Sequence, residues 1–215
     1  MSFAFKMIAP TTTIETVTIV RPLKVIAFIC GIIVLFLMTL CIGSSNWLTS
    51  EKYRQGLWEY CIEEDAIQPL PFNLKNGPGC FPGRDAGYIK LAGILCCFGL
   101  GFDFFATIMT GFGLSSKDPR KKYTLYRFAL YIMVAAFVVI LIALVVYPAY
   151  FAAEFNESNR QVWELGWAYG VGWGAAIFLL GAILLLLCDK ETEEIYYKER
   201  TIVHTQTNGG GDLKA

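Results

Sequence analysis

The chain has 215 residues, with 18 lysines and arginines against 18 aspartates and glutamates, so its formal net charge is zero. Only 17% of the residues are charged and 55% are apolar, where a soluble domain carries about a quarter charged residues. These values offer no bulk electrostatic draw toward nucleic acid, and a single histidine, His204 in a polar tail, argues against a histidine-built catalytic or metal centre.

Residues 1–22 contain Lys6, Glu15 and Arg21 and lack a continuous apolar core with a small-residue cleavage site, so they read as a cytoplasmic tail rather than a cleavable signal. The first apolar run, Val25–Gly43, follows as a signal-anchor. Three more runs come after it: about Tyr88–Leu114, about Leu125–Tyr150 and about Leu165–Cys188. A helix rises ~1.5 Å per residue, so ~20 residues cross the ~30 Å hydrocarbon layer, and every run is long enough. In lipid the backbone must satisfy its own polar groups, and no run alternates apolar with polar, so the expected architecture is an all-α four-transmembrane-helix bundle and not a barrel.

Orientation follows from basic residues in short loops. The connection at about 115–124 holds Lys117, Arg120, Lys121 and Lys122, with Arg127 just beyond, against Asp118 alone, which places it in the cytoplasm. Arg21 and Lys24 agree with an inside N-terminus. The connection at about 151–164 has Arg160 against three acids and is expected outside. The loop at about 44–87 is outside by its position between two crossings. The membrane domain thus covers 23–190, and 191–215 forms a second cytoplasmic tail whose first part is able to prolong the fourth helix.

Of seven cysteines, Cys30, Cys41, Cys96, Cys97 and Cys188 lie in apolar runs, and only Cys61 and Cys80 lie in a polar segment, on the oxidising side. A disulfide between them is the natural pairing. Closing a loop of ~20 residues constrains the unfolded chain by roughly 3 kcal/mol, useful to a loop with little apolar surface of its own.

Trp47, then Gly56-Leu57-Trp58, then Cys61 and Cys80 resemble the W…GLW…C…C signature of the claudin, peripheral myelin protein and epithelial membrane protein superfamily. Arg84 resembles a basic residue common before the second crossing. RPLKVIAFICGI, VVYPAYF and LGWAYGVGWGAAIFLLGAIL look most like the transmembrane protein 47 branch, and the resemblance covers roughly residues 20–190. It implies a left-handed claudin-like bundle topped by a small extracellular antiparallel sheet from the first loop, and a place at cell–cell contacts. The segment YRQGLWEYC is rich in strand formers, and Gly56 permits a bend, which is compatible with that sheet.

Trp47 and Trp58 are expected to anchor the loop at the membrane–water interface and pack it on the helix ends, rather than touch a partner cell. Asp103 lies inside the second run, where an ionisable group costs about 3 kcal/mol on insertion scales. It is expected to face the bundle interior as a structural polar contact, the alternative being an ion or proton site. Gly166, Gly170 and Gly174, spaced by four, suggest a packing face on the fourth helix, within the bundle or between protomers. Asn156-Glu157-Ser158 is a glycosylation sequon on a short outer loop. Cys188 fits either palmitoylation or an apolar filler. Tyr196 and Tyr197 are exposed to phosphorylation on the tail, and the terminal Asp-Leu-Lys-Ala departs from the ending with which claudins dock scaffolds.

The leading functional expectation is a structural, adhesive protein of cell–cell junctions in the plasma membrane of epithelia. Its partners would be the bilayer, junctional membrane proteins in cis or trans, cytoplasmic scaffold or cortical adaptors, and other copies of itself. A paracellular barrier or ion-selective pore lined by Glu63, Glu64 and Asp65 is one alternative, and an auxiliary subunit of an ion channel another. No paired carboxylates, Ser–His or Cys–His arrangement, or phosphate loop points to an enzyme, a cofactor or a metal.

Overall fold

Each apolar run has become a helix, because only intrahelical hydrogen bonds serve a single chain segment in lipid. The computed structural model describes residues 13–50, 52–64, 74, 76–116, 118–157 and 164–208. Helix α1 spans Thr13–Gly43, α2 Gly87–Ser115, α3 Pro119–Glu157 and α4 Trp167–Asn208. Each contains a stretch long and apolar enough to cross a membrane: Leu23–Gly43, Gly87–Ser115, Arg120–Ala153 and Trp167–Cys188. The helices form a ring in which α2 packs most extensively on α3 and α1 on α4, with lesser α1–α2 and α3–α4 contacts.

Small side chains line the helix interfaces. Ala27, Ala92, Ala106, Ala136, Ala143, Ala175 and Ala182 are buried, while Phe36, Phe98, Phe105, Phe112 and Ile177 face outward. This inversion of a water-soluble core is expected where lipid solvates large apolar groups as well as protein does, and close backbone approach supplies the attraction.

Strands β1 (Leu48–Ser50), β2 (Tyr53–Gln55), β3 (Glu59–Ile62) and β4 (Gly79–Pro82) lie between α1 and α2, and β5 (Glu164–Leu165) precedes α4. They form a five-stranded antiparallel sheet in the order β4-β3-β2-β1-β5. The chain therefore has the claudin-like arrangement of four spans and a small sheet at one end of the bundle. The first loop does not build that sheet alone, since β5 comes from the connection before α4 and pairs Leu165 with Leu48. Ser50 and Tyr53 close the β1–β2 hairpin through a two-residue loop in which Lys52 takes a left-handed φ of 64°.

Two helix boundaries differ from the apolar runs. Pro119, at a favoured first helical position, starts α3 six residues ahead of its apolar run, shortly after α2 ends at Ser115. At the other end α3 continues through Pro148 to Glu157, because alanines and glutamate at 152–154 favour helix and the carbonyl freed by the proline finds another donor. Asn156 thus lies on the last turn of α3 and not in a loop, its side chain outside the described ones.

Candidate interaction lobe

Strand alternation sorts the sheet into two faces. Leu48, Ser50, Tyr53, Gln55, Tyr60 and Ile62 are buried on one. Thr49, Arg54, Glu59 and the Cys61–Cys80 pair occupy the other. Cys61 and Cys80 stand directly opposite each other on β3 and β4, with Cα atoms 4.1 Å apart, and are joined by a disulfide. The bond pins the edge strand β4 to the sheet from its outward face. Arg54 reaches Glu63 at 4.0 Å on that side. Asp65, like most of the stretch between Glu63 and Lys75, lies outside the described residues.

The buried face is fastened to the helices by polar and aromatic contacts around Trp47. Trp47 is wholly buried, and its indole Nε1 donates to the Cys41 carbonyl at 2.7 Å. That carbonyl belongs to the last turn of α1, where it has no helical donor, so the tryptophan caps the helix while filling the joint. Its ring meets Tyr147 of α3 at 4.9 Å and Tyr169 of α4 at 5.9 Å. Tyr53 donates its hydroxyl to Gln55 Oε1 at 2.8 Å, and Gln55 Nε2 makes a long 3.5 Å contact to the Tyr147 hydroxyl. Tyr169 donates its hydroxyl to the Leu144 carbonyl at 2.9 Å. Leu144 lies four residues before Pro148, so this is the carbonyl whose helical donor the proline removes.

The remaining signature residues have separate tasks. A Cβ on Gly56 would stand 2.6 Å from both Ser44 O and Ser45 Cα, so only glycine lets the β2–β3 turn lie against the end of α1. Leu57 is buried in the main core. Trp58 is 48% exposed, and its ring lies over Gly93 of α2, 3.1 Å from where a Cβ would be. With Tyr150 and Trp167 it marks an exposed aromatic belt at the sheet end, the position of a membrane–water boundary. Arg84 Nη2 donates to the Tyr88 hydroxyl at 2.7 Å, and Tyr88 stacks on Tyr150 with centroids 6.3 Å apart. Lys90, hydrogen-bonded to Asp85, holds that exposed carboxyl below the usual carboxylate range.

Asp103 faces the bundle interior with no exposed surface. Neither of its oxygens, nor the Thr107 hydroxyl one turn away, has a hydrogen-bond partner among the described residues. The expected polar contact to a neighbouring helix is thus not formed by this side chain. The three glycines do not form one packing face within the bundle. Gly166 precedes α4 and packs against the Asn46 carbonyl beneath the sheet, while Gly170 and Gly174 face open space. On α4 the glycine that packs is Gly172, whose Cβ would meet Leu144 and Cys41 at about 3 Å. Cys188 is exposed at the end of the fourth span. Among the described residues no group of three or more His, Cys, Asp or Glu is placed to hold a metal ion.

Sequence comparison places this architecture among known proteins. The model described as the PMP-22/EMP/MP20/Claudin family matches residues 21–185. A curated relative, the "p53 apoptosis effector related to PMP-22" of Danio rerio, is 39% identical over 72 residues, which cover 33% of this chain and 37% of that protein. The chain therefore spans just over a third of the length of the curated relative it matches.

Proposed function

The chain belongs to the PMP-22/EMP/MP20/Claudin family, and on that premise we propose that it is a structural, adhesive four-span protein of cell–cell junctions. In this reading the sheet lobe is extracellular and both termini are cytoplasmic. The basic turn supports that orientation, since Arg120, Lys121 and Lys122 crowd the opposite end of the bundle from the sheet. The outward sheet face engages junctional proteins in cis or trans, and the tails couple to scaffold or cortical adaptors.

One observation carries the proposal. A sheet stapled by Cys61–Cys80 is locked to three helices through Trp47, so its outward face is held rigid relative to the bilayer. Preorganisation of that kind lowers the entropic cost of binding a neighbour. Tagging the endogenous protein in a polarised epithelium tests the reading. It expects signal concentrated at lateral contacts, and uniform surface or internal-membrane staining would overturn it. Trp47→Ala is expected to abolish contact enrichment.

A further inference from the structure

At the bundle end opposite the sheet, α3 carries Arg120, Lys121, Lys122 and Arg127 in its first turns and no acid in its first turn. Among the described residues the adjacent acid, Asp118, pairs with Lys121 at 3.2 Å. Arg120, Thr124, Arg127 and Tyr131 are exposed and fall at i, i+4, i+7 and i+11, a single stripe along the helix. Arg127 is held in place there. Its guanidinium lies 5.6 Å from the Tyr123 ring centroid and interacts electrostatically with Tyr131 and Tyr123.

The depth of this stripe follows from helix length. The span Arg120–Ala153 has 34 residues, about 51 Å of helix against ~30 Å of hydrocarbon. Tyr147 belongs to the aromatic joint at the sheet end, and about 30 Å along the helix from it is Arg127. Arg127 therefore meets the far hydrocarbon boundary, and Arg120, about 10 Å further, reaches into the headgroup layer. The positive end of the α3 dipole adds to the field of the two guanidinium groups.

We propose that the Arg120–Arg127 stripe of α3 binds the headgroup of a polyphosphorylated inositol lipid in the cytoplasmic leaflet. The side of the membrane rests on the orientation given under the proposed function. Each guanidinium fork matches one phosphate through paired N–H donors. Two forks about 10 Å apart along the helix suit a headgroup bearing several phosphates, whereas a single phosphodiester occupies one. The local charge favours lipid, since the leaflet is anionic and, among the described side chains of residues 118–127, four cations stand against one acid.

The test uses the full chain in phosphatidylcholine nanodiscs doped with phosphatidylinositol bisphosphate, or with phosphatidylserine at equal total charge. Lipid retained by the protein is counted by native mass spectrometry. The inositol lipid is expected to be retained preferentially. Arg120→Gln and Arg127→Gln are each expected to weaken retention about 5-fold, and Lys90→Gln at the sheet end is expected to leave it unchanged. Arg127→Lys keeps the charge and the fold but loses the fork, and is expected to reduce the preference over phosphatidylserine. Equal retention of both lipids, or wild-type retention in the glutamine variants, would overturn the proposal. This readout is blind to which side of the cell membrane the turn faces, so its failure leaves the orientation to be judged separately by accessibility labelling.

Discussion

Tyr169→Phe deletes one oxygen, the hydroxyl that donates to the Leu144 carbonyl at 2.9 Å. That carbonyl has no helical alternative, because Pro148 stands where its donor would be. A buried acceptor left unmet costs about 1–3 kcal/mol in general, while interhelical hydrogen bonds in membranes average about 0.6 and reach about 1.7 kcal/mol. With the local alternative removed, about 1.5 kcal/mol is expected. Pro148→Ala supplies the missing N–H and returns Leu144 to the helical ladder. In that background Tyr169→Phe should cost no more than about 0.5 kcal/mol, a coupling of about 1 kcal/mol between residues on different helices. Unfolding by added SDS in mixed micelles measures all four proteins. Tryptophan fluorescence is a suitable signal, since Trp47 packs 5.9 Å from the Tyr169 ring. Equal destabilisation in both backgrounds would show that the hydroxyl does not serve the proline-freed carbonyl.

Three further outcomes follow from the geometry. Cys61→Ser should remove about 3 kcal/mol of loop constraint at the sheet end, seen as one new free thiol at Cys80 and a faster protease cut in the first loop. Gly56→Ala should destabilise by more than about 2 kcal/mol because backbone atoms block its Cβ, whereas Gly170→Ala and Gly174→Ala should be neutral or stabilise by up to about 1 kcal/mol, as read from the same SDS titration. Asp103→Leu removes two buried oxygens that have no partner among the described residues, so SDS resistance should rise; a clear fall would reveal a polar contact that the carboxyl makes in the membrane.

The four spans were legible because run length against bilayer thickness is a one-dimensional test, which Val25–Gly43 and its three counterparts pass without reference to any neighbour. Cys61 and Cys80 were legible by elimination, being the two cysteines outside those runs. The sheet came only through the family signature, since its longest strands have four residues, too few for alternation to stand out. Strand β5, with two residues, left no periodic trace. The glycine spacing left open which surface it serves for a different reason. Inside a bilayer both sides of a helix are apolar, so the spacing of Gly170 and Gly174 does not say which side meets protein. The Tyr169–Leu144 bond was equally hidden, although Pro148 was a signal: a proline within a span requires a donor for the carbonyl four residues earlier. Tyr169 is the partner only because α3 and α4 happen to lie side by side.

The pairing of Leu165 with Leu48 means that the sheet is shared between the two halves of the chain, four strands from the first and one from the second. Severed between α2 and α3, the polypeptide would yield two hairpins, α1–α2 and α3–α4, each holding part of a common seam. Trp47 from the first hairpin would still have to find Tyr147 and Tyr169 on the second. The β1–β5 pairing therefore adds a strand seam to the α1–α4 and α2–α3 interfaces that join the halves, and assembly of the halves can be followed as a bimolecular reaction.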